Sequence, residues 1–242
     1  YFVIIEGNKT WQNNSKKLRF DINKFHKFKN KIIYIPVEDL PDGDNPYLRE
    51  NFQRNAIKRG IIDASEDDLI IISDLDEIPN PEVINLFSYK MKYACFKQFH
   101  FYYKFNLQSK TNPFWHGSRI CVKKFLKSPQ WLRELKFKKR PFWRLDKFRL
   151  NNILDNGGWH FCNLKTPEEL LYKYNNLCET NDPYIFKEKI DNKFLDLNSI
   201  KKNIENKQDI IGRSHEYFTI PVDNKFPKYL KDNLPQYKNW IL

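Results

Sequence analysis

The sequence has few cysteines, a single methionine and no long apolar run. No stretch approaches the roughly 20 apolar residues that a membrane-spanning helix needs. The cysteines form no C-x-x-C pair, which argues against a zinc site or a dense disulfide scaffold and predicts buried free thiols. They are widely spaced, at Cys95, Cys121, Cys162 and Cys178. Internal repeats and low-complexity linkers are also absent, so we expect one globular domain over residues 1–242.

The chain opens directly in the strand-like run YFVIIEG, and its one methionine is Met91. We therefore expect a fragment, which a signal peptide, a membrane anchor or an earlier strand could precede. The compartment stays open at this level. It would be the cytoplasm for a viral or bacterial protein and the Golgi lumen for an anchored eukaryotic enzyme.

Positive charge is abundant, with a formal net charge of +12 and a pI near 9.3. Such a surface attracts nucleic acid, phospholipid or a phosphorylated substrate. The stretch LRELKFKKRPFWRLDKFR is typical of a surface that binds nucleic acid or an acidic polymer, because it interleaves cations with Phe137, Phe142, Trp143 and Phe148. The alternative is a strand pair whose Lys and Arg stems cover aromatic core residues. We favour this alternative and do not expect nucleic acid as the partner.

The first 90 residues alternate predicted strands with predicted helices. YFVIIE, KIIYIPV and DDLIIIS are rich in β-branched residues, which favour strands. FDINKFHKF and PYLRENFQRNAIKRG have apolar residues at helical spacing. This order predicts an α/β fold with a mostly parallel central sheet. After Tyr93 the hydrophobic pattern alternates, which predicts a mixed second half of the sheet.

Two later segments carry clear helix-start signals. NPEVINLF begins with Asn80 as N-cap and Pro81 at the first helical position. KTPEELLYKY begins with Thr166 and has Glu169 three positions later, which is a capping box. The first of these caps would hold the loop that precedes it.

That loop carries three carboxylates, Asp74, Asp76 and Glu77, directly after the apolar run at residues 69–72. Ligands of parallel α/β sheets collect beyond the carboxyl ends of the strands, where this acidic triplet falls. On an extended segment Asp74 and Asp76 would face one side while Leu75 faces the core. Two such oxygen ligands suit Mn²⁺ or Mg²⁺ that bridges to a diphosphate. A solvated turn before a helix N-terminus is the alternative.

Five stretches of the chain form an ordered set: YFVIIEGNKTW…KKLRF, YLRENFQRNAIKRGI, DDLIIISDLDEIPNPEV, GGWHF and PKYL…LPQY. In this order they resemble glycosyltransferase family 17, which includes the β-1,4-mannosyl-glycoprotein 4-β-N-acetylglucosaminyltransferases. ISDLDEIP followed about eighty residues later by GGWHF is a specific combination by the standard of short motifs. The similarity runs nearly end to end.

The resemblance implies a GT-A type fold and an inverting transfer from a UDP-sugar donor to a glycan or glycoprotein acceptor. GlcNAc is the first expectation for the sugar. Asp74 and Asp76 would hold Mn²⁺ or Mg²⁺, with Glu77 as a direct ligand or a neighbour of the ligands. Residues 1–90 would form the nucleotide-binding half and residues 91–242 the acceptor-side half. The usual first strand and helix of the fold are missing before Tyr1.

Four arginines are candidates for contacting the diphosphate or orienting the carboxylates, because the planar guanidinium suits both groups. They are Arg49, Arg54, Arg119 and Arg133. A surface ion pair is the alternative for each. Glu6 ends the first strand and is predicted to share a sheet edge with the acidic triplet. It could contact the nucleotide, hold Arg54 or form a structural ion pair.

GGWHF places Trp159 and His160 after two glycines that allow a close turn. Trp159 could stack on the apolar face of a sugar, and His160 could ligate the metal or touch phosphate. A buried, hydrogen-bonded histidine beside a core tryptophan is the alternative. Trp115 and His116 in FWHGSR allow the same two interpretations.

An inverting transfer also needs a base for the acceptor hydroxyl, usually a carboxylate opposite the leaving group. The sequence does not identify it. Glu179, after GGWHF, is the first candidate, and Asp155 and Glu216 follow. A solvated charge on a helix face is the alternative for each of them.

Overall fold

The structure is a computed structural model that describes residues 1–136, 152–177 and 195–242. Across these residues the strands form two sheets. The smaller sheet pairs β1 (Phe2–Gly7) with β2 (Ile32–Val37) in parallel. A 3-10 helix, Ile22–Lys31, lies between them, so both predicted strands and the helical segment are confirmed.

The larger sheet contains the other strands of the described residues. In chain order they are β3 (Leu69–Ile72), β4 (Glu77–Pro79), β5 (Tyr93–Tyr102), β6 (Leu107–Ser109), β7 (Phe114–Val122), β8 (Ile153–Leu154), β9 (Gly158–Cys162) and β10 (Tyr217–Thr219). Five of them run in the order β10, β6, β5, β7, β3, with antiparallel neighbours. β8 and β9 lie parallel to β5, and β4 pairs antiparallel with β9.

The parallel pairing predicted for the first half holds for β1 and β2. β3, predicted as a central parallel strand, instead pairs antiparallel with β7 in the larger sheet. The prediction of a mostly parallel central sheet is therefore wrong for this sheet, whereas the α/β class and the mixed second half are confirmed. An apolar run suits either pairing, and the partner of β3 comes from a distant part of the chain.

Local capping signals explain most of the helix starts. In the described residues the α-helices are α1 (Pro46–Asn55), α2 (Pro129–Glu134), α3 (Pro167–Asn176), α4 (Leu197–Glu205) and α5 (Lys228–Asp232). The first three begin with proline after Asn45, Ser128 or Thr166, whose side chains accept a backbone N–H. The capping box predicted for Thr166 and Glu169 is confirmed. None of the described helices combines the length and apolar character needed to cross a membrane.

Further 3-10 helices lie at Ala56–Gly60, Pro81–Leu86, Tyr89–Met91, Lys123–Phe125 and Leu234–Trp240. The first continues α1, so the predicted helical stretch ends at Gly60 as expected. The second starts after Asn80, whose side chain accepts the N–H of Glu82. The predicted cap beyond the acidic triplet is therefore confirmed.

β5 and β9 create different environments on the two faces of the larger sheet. They are parallel neighbours in register, with His100 beside His160 and Phe101 beside Phe161. Because side chains alternate along a strand, the two phenylalanines enter an aromatic core while the two histidines stack on the opposite face. Glu77 lies opposite His160 in the antiparallel pair of β4 and β9, so the acidic triplet lies near the histidine face.

The acidic triplet forms a turn and not an extended segment. The backbone N–H of Glu77 donates to the carbonyl of Asp74 at 3.1 Å, which places Leu75 and Asp76 at the corner. Leu75 is fully exposed, so the prediction that it faces the core is wrong. A period of two applies only to extended backbone, and β3 ends at Ile72.

Candidate active site

Asp74 is held by two arginines from different helices. Arg54 of α1 lies 3.3 Å from Oδ1, and Arg133 of α2 donates to Oδ2 at 2.6 Å. Arg54 also donates to Glu50 and to Gln130, which fixes its guanidinium. Both carboxylate oxygens of Asp74 therefore have a cationic donor, and these charge-assisted bonds neutralise one member of the triplet.

Glu77 is buried beneath the turn and accepts from several donors. Arg133 bonds both of its oxygens, and the Nε1 of Trp115 donates to Oε1 at 2.7 Å. The hydroxyl of Ser118 and the backbone N–H of Asp74 donate to Oε2. Burial alone would lower the pKa of Arg133, but the charges of Glu77 and Asp74 raise that pKa. The ion pair therefore keeps its charges and fixes the shape of the turn.

Asp76 differs from its two neighbours, because no arginine contacts it in the part of the chain that the structure describes. Its Oδ1 lies 3.3 Å from the Nε2 of His160, and 35% of its side chain is exposed. Burial alone would raise the pKa of Asp76, yet the hydrogen bond and charge of His160, together with the charge of Lys173, lower that pKa. Asp74 has a similar side-chain exposure of 41%, so what distinguishes the ionised, partly exposed Asp76 is that no arginine of the described residues contacts it.

Trp115 forms an aromatic wall beside this carboxylate. Trp115 is 38% exposed, and its ring centroid lies 5.0 Å from that of His160. His160 is the partner of Asp76. The bond from Nε1 to Glu77 fixes the indole. A Cβ at Gly117 would collide with both Glu77 and Trp115, so any other residue there would displace these two side chains. The result is a rigid, partly exposed ring at the edge of the acidic turn.

A second group of possible metal ligands lies behind His160. The ligand atoms of His100, His160 and Cys162 all lie within 4.8 Å of one another. Their arrangement follows from strand register, since His100 lies beside His160 and Tyr102 lies beside Cys162. The described residues thus contain a group that could hold a metal ion without using Asp74 or Asp76.

Residues 1–238 match the profile of Glycosyltransferase family 17. The chain belongs to glycosyltransferase family 17. Neither a search of curated proteins nor one of solved structures finds a match. The match confirms the resemblance that the ordered motifs indicated. As a family 17 member the chain is a glycosyltransferase, and this class takes a nucleotide-sugar donor and a glycan acceptor.

Two of the arginines predicted to contact the diphosphate are buried in this family 17 chain. Arg49 is 1% exposed and donates to the backbone carbonyls of Trp11 and Gly43. Arg119 is also buried and donates to the carbonyl of His116 at 2.7 Å. Both guanidinium groups join backbone segments, whereas the other two predicted arginines lie at the acidic turn.

Glu6 organises the loop that follows β1. It accepts from the Lys16 ammonium, the Tyr34 hydroxyl and two backbone N–H groups, those of Arg19 and Phe20. Burial alone would raise the pKa of Glu6, but these bonds lower that pKa. Its strand belongs to the smaller sheet, so the prediction that Glu6 shares a sheet edge with the acidic triplet is wrong.

Two of the predicted bases pair with lysines, and the third lies outside the described residues. Asp155 pairs with Lys97 at 2.9 Å and Glu216 pairs with Lys110 at 2.8 Å, and both carboxylates are exposed. Lys97 lies over the Phe114 ring, on the sheet face away from the tryptophan wall. Glu179 lies outside the described residues. The base stays a prediction.

Trp159, predicted to stack on a sugar, is buried in the aromatic core. Its Nε1 donates to the carbonyl of Lys225 at 2.7 Å, and it packs with Phe101 and Phe161. This placement matches the core alternative. The sequence signal for Trp115 was the FWHGSR motif, whereas Lys173 lies among the helix-forming residues of α3 and had no signal of its own.

Two other predictions concern cysteines and the basic stretch. Cys95 and Cys121 are buried free thiols, as predicted. Cys178 lies outside the described residues. The aromatic and basic stretch also lies mostly outside them, including Phe137, Phe142, Trp143 and Phe148.

Proposed function

We propose that this family 17 chain is an inverting, metal-dependent glycosyltransferase of the GT-A type. It moves a sugar, with GlcNAc as the first candidate, from a UDP-sugar to a glycan or glycoprotein acceptor. Residues 1–90 form its nucleotide-binding half and residues 91–242 its acceptor-side half. One observation carries the proposal: arginines neutralise Asp74 and Glu77, while Asp76 stays ionised and accessible beside Trp115.

Asp76 fits the role of a protein ligand for the divalent cation. Its carboxylate is ionised, partly exposed and contacted by His160 on one oxygen. Mn²⁺ and Mg²⁺ prefer oxygen ligands, and Mg²⁺ in particular binds through one or two carboxylates plus water and substrate phosphates. When bound, the cation neutralises negative charge on the diphosphate that leaves. Asp74, the second predicted ligand, has both oxygens engaged by arginines, so its first role is to position them.

Arg54, Arg133 and Lys173 supply positive charge around the turn. Negative charge grows on the diphosphate as the bond to the sugar breaks, and donors that are already in place stabilise it without reorganisation. The ion pairs with Asp74 keep both guanidinium groups in position before substrate binds. Lys173 acts on Asp76 electrostatically and is held by Asn163 at 2.8 Å.

Trp115 takes the sugar-stacking role that the sequence suggested for Trp159. The apolar face of a sugar ring packs on an exposed aromatic face, and an indole is the largest such surface among side chains. Trp115 has this exposure at the acidic turn, whereas Trp159 is buried in the core on the other face of the sheet. We place the sugar between the Trp115 ring and the Asp76 carboxylate.

Thermal unfolding of the full 242-residue chain with UDP, a panel of UDP-sugars, Mn²⁺ and EDTA tests the proposal. UDP with Mn²⁺ should stabilise the chain, by about 2.7 kcal/mol at a ligand concentration of 100 times Kd, and EDTA should remove the effect. Asp76→Asn should abolish this stabilisation and sugar transfer. The control Asp42→Asn removes an exposed carboxylate that pairs with Lys9 and should keep both.

The proposal fails if Asp76→Asn retains the Mn²⁺-dependent stabilisation and the wild-type rate of transfer. It also fails if no UDP-sugar of the panel stabilises the wild-type chain in the presence of Mn²⁺. The UDP-sugar with the largest effect identifies the donor.

A further inference from the structure

Two buried imidazoles each have one ring nitrogen bonded and the other without a partner. His100 is 3% exposed, and its Nδ1 lies 3.1 Å from the carbonyl oxygen of Asn112. His160 is 7% exposed, and its Nε2 lies 3.3 Å from Asp76. The Nε2 of His100 and the Nδ1 of His160 are buried and have no hydrogen-bond partner among the described residues.

The partners determine which nitrogen carries the proton. A backbone carbonyl and an ionised carboxylate only accept hydrogen bonds, so the Nδ1 of His100 and the Nε2 of His160 are the protonated atoms. On a ring that carries only this proton, the remaining nitrogen is a lone-pair donor. The two rings stack with centroids 4.8 Å apart, and each has a buried nitrogen without a hydrogen-bond partner among the described residues.

Cys162 completes the group. It follows His160 by two residues on β9, so strand alternation directs both side chains to the same face of the sheet, next to His100 of β5. One ring nitrogen from each histidine and the Cys162 sulfur lie within 4.8 Å of one another. Metal-bound histidines usually donate their other N–H to a carbonyl or a carboxylate, and both histidines here make that contact.

We propose that His100, His160 and Cys162 bind a zinc ion behind the acidic turn as three protein ligands, which leaves the fourth tetrahedral position to water. Two imidazole nitrogens and one thiolate are a ligand set that zinc takes readily, whereas Mn²⁺ and Mg²⁺ prefer oxygen. Binding replaces the proton of the Cys162 thiol, which passes to solvent. The ion holds His160, and His160 in turn holds Asp76. The zinc site stands on its own contacts and does not depend on the proposed sugar transfer.

Binding requires a small movement of the ligands. The two rings are stacked in parallel with centroids 4.8 Å apart, so their lone pairs do not yet converge. Zinc–nitrogen and zinc–sulfur bonds of about 2.0 and 2.3 Å require ligand atoms closer together than 4.8 Å. The imidazoles therefore have to shift when the ion enters while they keep their contacts to Asn112 and Asp76, and the two ring-proton environments should change in NMR spectra.

Cobalt titration of the full chain, first stripped of metal with a chelator, tests the proposal, since Co²⁺ is a coloured substitute for zinc. One equivalent should produce a thiolate-to-cobalt charge-transfer band and the visible bands of a tetrahedral site. Zn²⁺ should displace both, and Mn²⁺ or Mg²⁺ should displace neither. Cys162→Ser should remove the charge-transfer band, while the control Cys121→Ser, at another buried thiol, should keep it.

His100→Gln provides a second test that leaves the thiol and the His160 contact to Asp76 in place. It should weaken cobalt binding at least about tenfold. This variant decides the matter if Cys162→Ser does not fold. The proposal is overturned if wild-type chain shows no charge-transfer band, if the band survives Cys162→Ser, or if His100→Gln binds cobalt as tightly as wild type.

Discussion

The carboxylate of Asp209 and those of the acidic turn both lie in crowded surroundings, but their negative charge is neutralised in different ways. The Asp209 side chain is fully buried, and its Oδ2 accepts from Tyr103, Tyr217 and the Arg213 guanidinium. Its Oδ1 accepts from the backbone N–H groups of Ile211 and Arg213. Burial alone would raise the pKa of Asp209, but the bonds and charge of Arg213 lower that pKa. No oxygen of Asp209 is left for a ligand.

At the acidic turn, neutralisation is incomplete. Arginines engage Asp74 and Glu77, but the partner of the partly exposed Asp76 is a histidine. A carboxylate whose lone pairs are all used stabilises the fold, while one with an open oxygen remains available for a cation or a substrate. The number of hydrogen-bond donors that engage a carboxylate therefore distinguishes a structural carboxylate from a functional one. Three measurements test this distinction.

Asp209→Ala should give the largest loss of stability. It leaves Arg213 and two tyrosine hydroxyls without their acceptor, which should lower the free energy of unfolding by about 3 kcal/mol, the lower end for a broken buried pair because Arg213 is partly exposed. Asp76→Asn should lower it by less than about 1 kcal/mol. Urea denaturation followed by circular dichroism measures both values. Equal losses for the two variants would remove the distinction.

Arg133→Lys should have an intermediate effect. An ammonium lacks the planar fork whose two nitrogens reach Asp74 and Glu77 here, so the free energy of unfolding should fall by about 2 kcal/mol and sugar transfer by roughly tenfold or more. The control Arg59→Lys alters an exposed pair with Asp39 and should cost less than about 0.5 kcal/mol. Unchanged transfer by Arg133→Lys would show that the turn needs no fixed guanidinium.

The pH dependence of stability should show the smallest effect. The folded pKa of Asp209 lies below its value of 3.8 in the unfolded chain, so its stabilisation is present above that pH and is lost as the pH falls through the folded pKa. Between these two pKa values, Asp209 is protonated in the unfolded chain and still ionised in the folded chain, so acid favours unfolding. Asp209→Asn should therefore flatten the acid limb of the stability curve. An acid limb as steep as that of wild type would contradict the pKa assignment for Asp209.

Features that depend on neighbours in the chain could be predicted from the sequence. Asn80, Thr166 and Glu169 cap their helices as expected, because a cap involves residues within one turn. The strand before the acidic triplet was also predicted correctly. The orientation of Leu75 was not, because the chain turns where the alternation rule assumes extension. Strand pairing was wrong for β3, because an apolar run does not specify its partner.

Cysteine spacing argued against a zinc site, because it takes account only of ligands that are close together in the sequence. Spacing along the chain detects sites built from one loop, and this sequence has no C-x-x-C pair. His100 and Cys162 come from different strands, and only the parallel pairing of β5 with β9 brings them together. The zinc site proposed above therefore has no sequence signal of its own.

The sequence by itself determined the family, the acidic triplet at the end of a buried strand and the caps that follow it, since each is a local pattern. Tertiary structure alone decided which carboxylate stays open. Arg54 and Arg133 lie 20 and 59 residues from Asp74 along the chain, and the packing of α1 and α2 brings both to the turn. Charges pair through space, so the order of residues could not show that Asp76 would be the member of the triplet that no described arginine contacts.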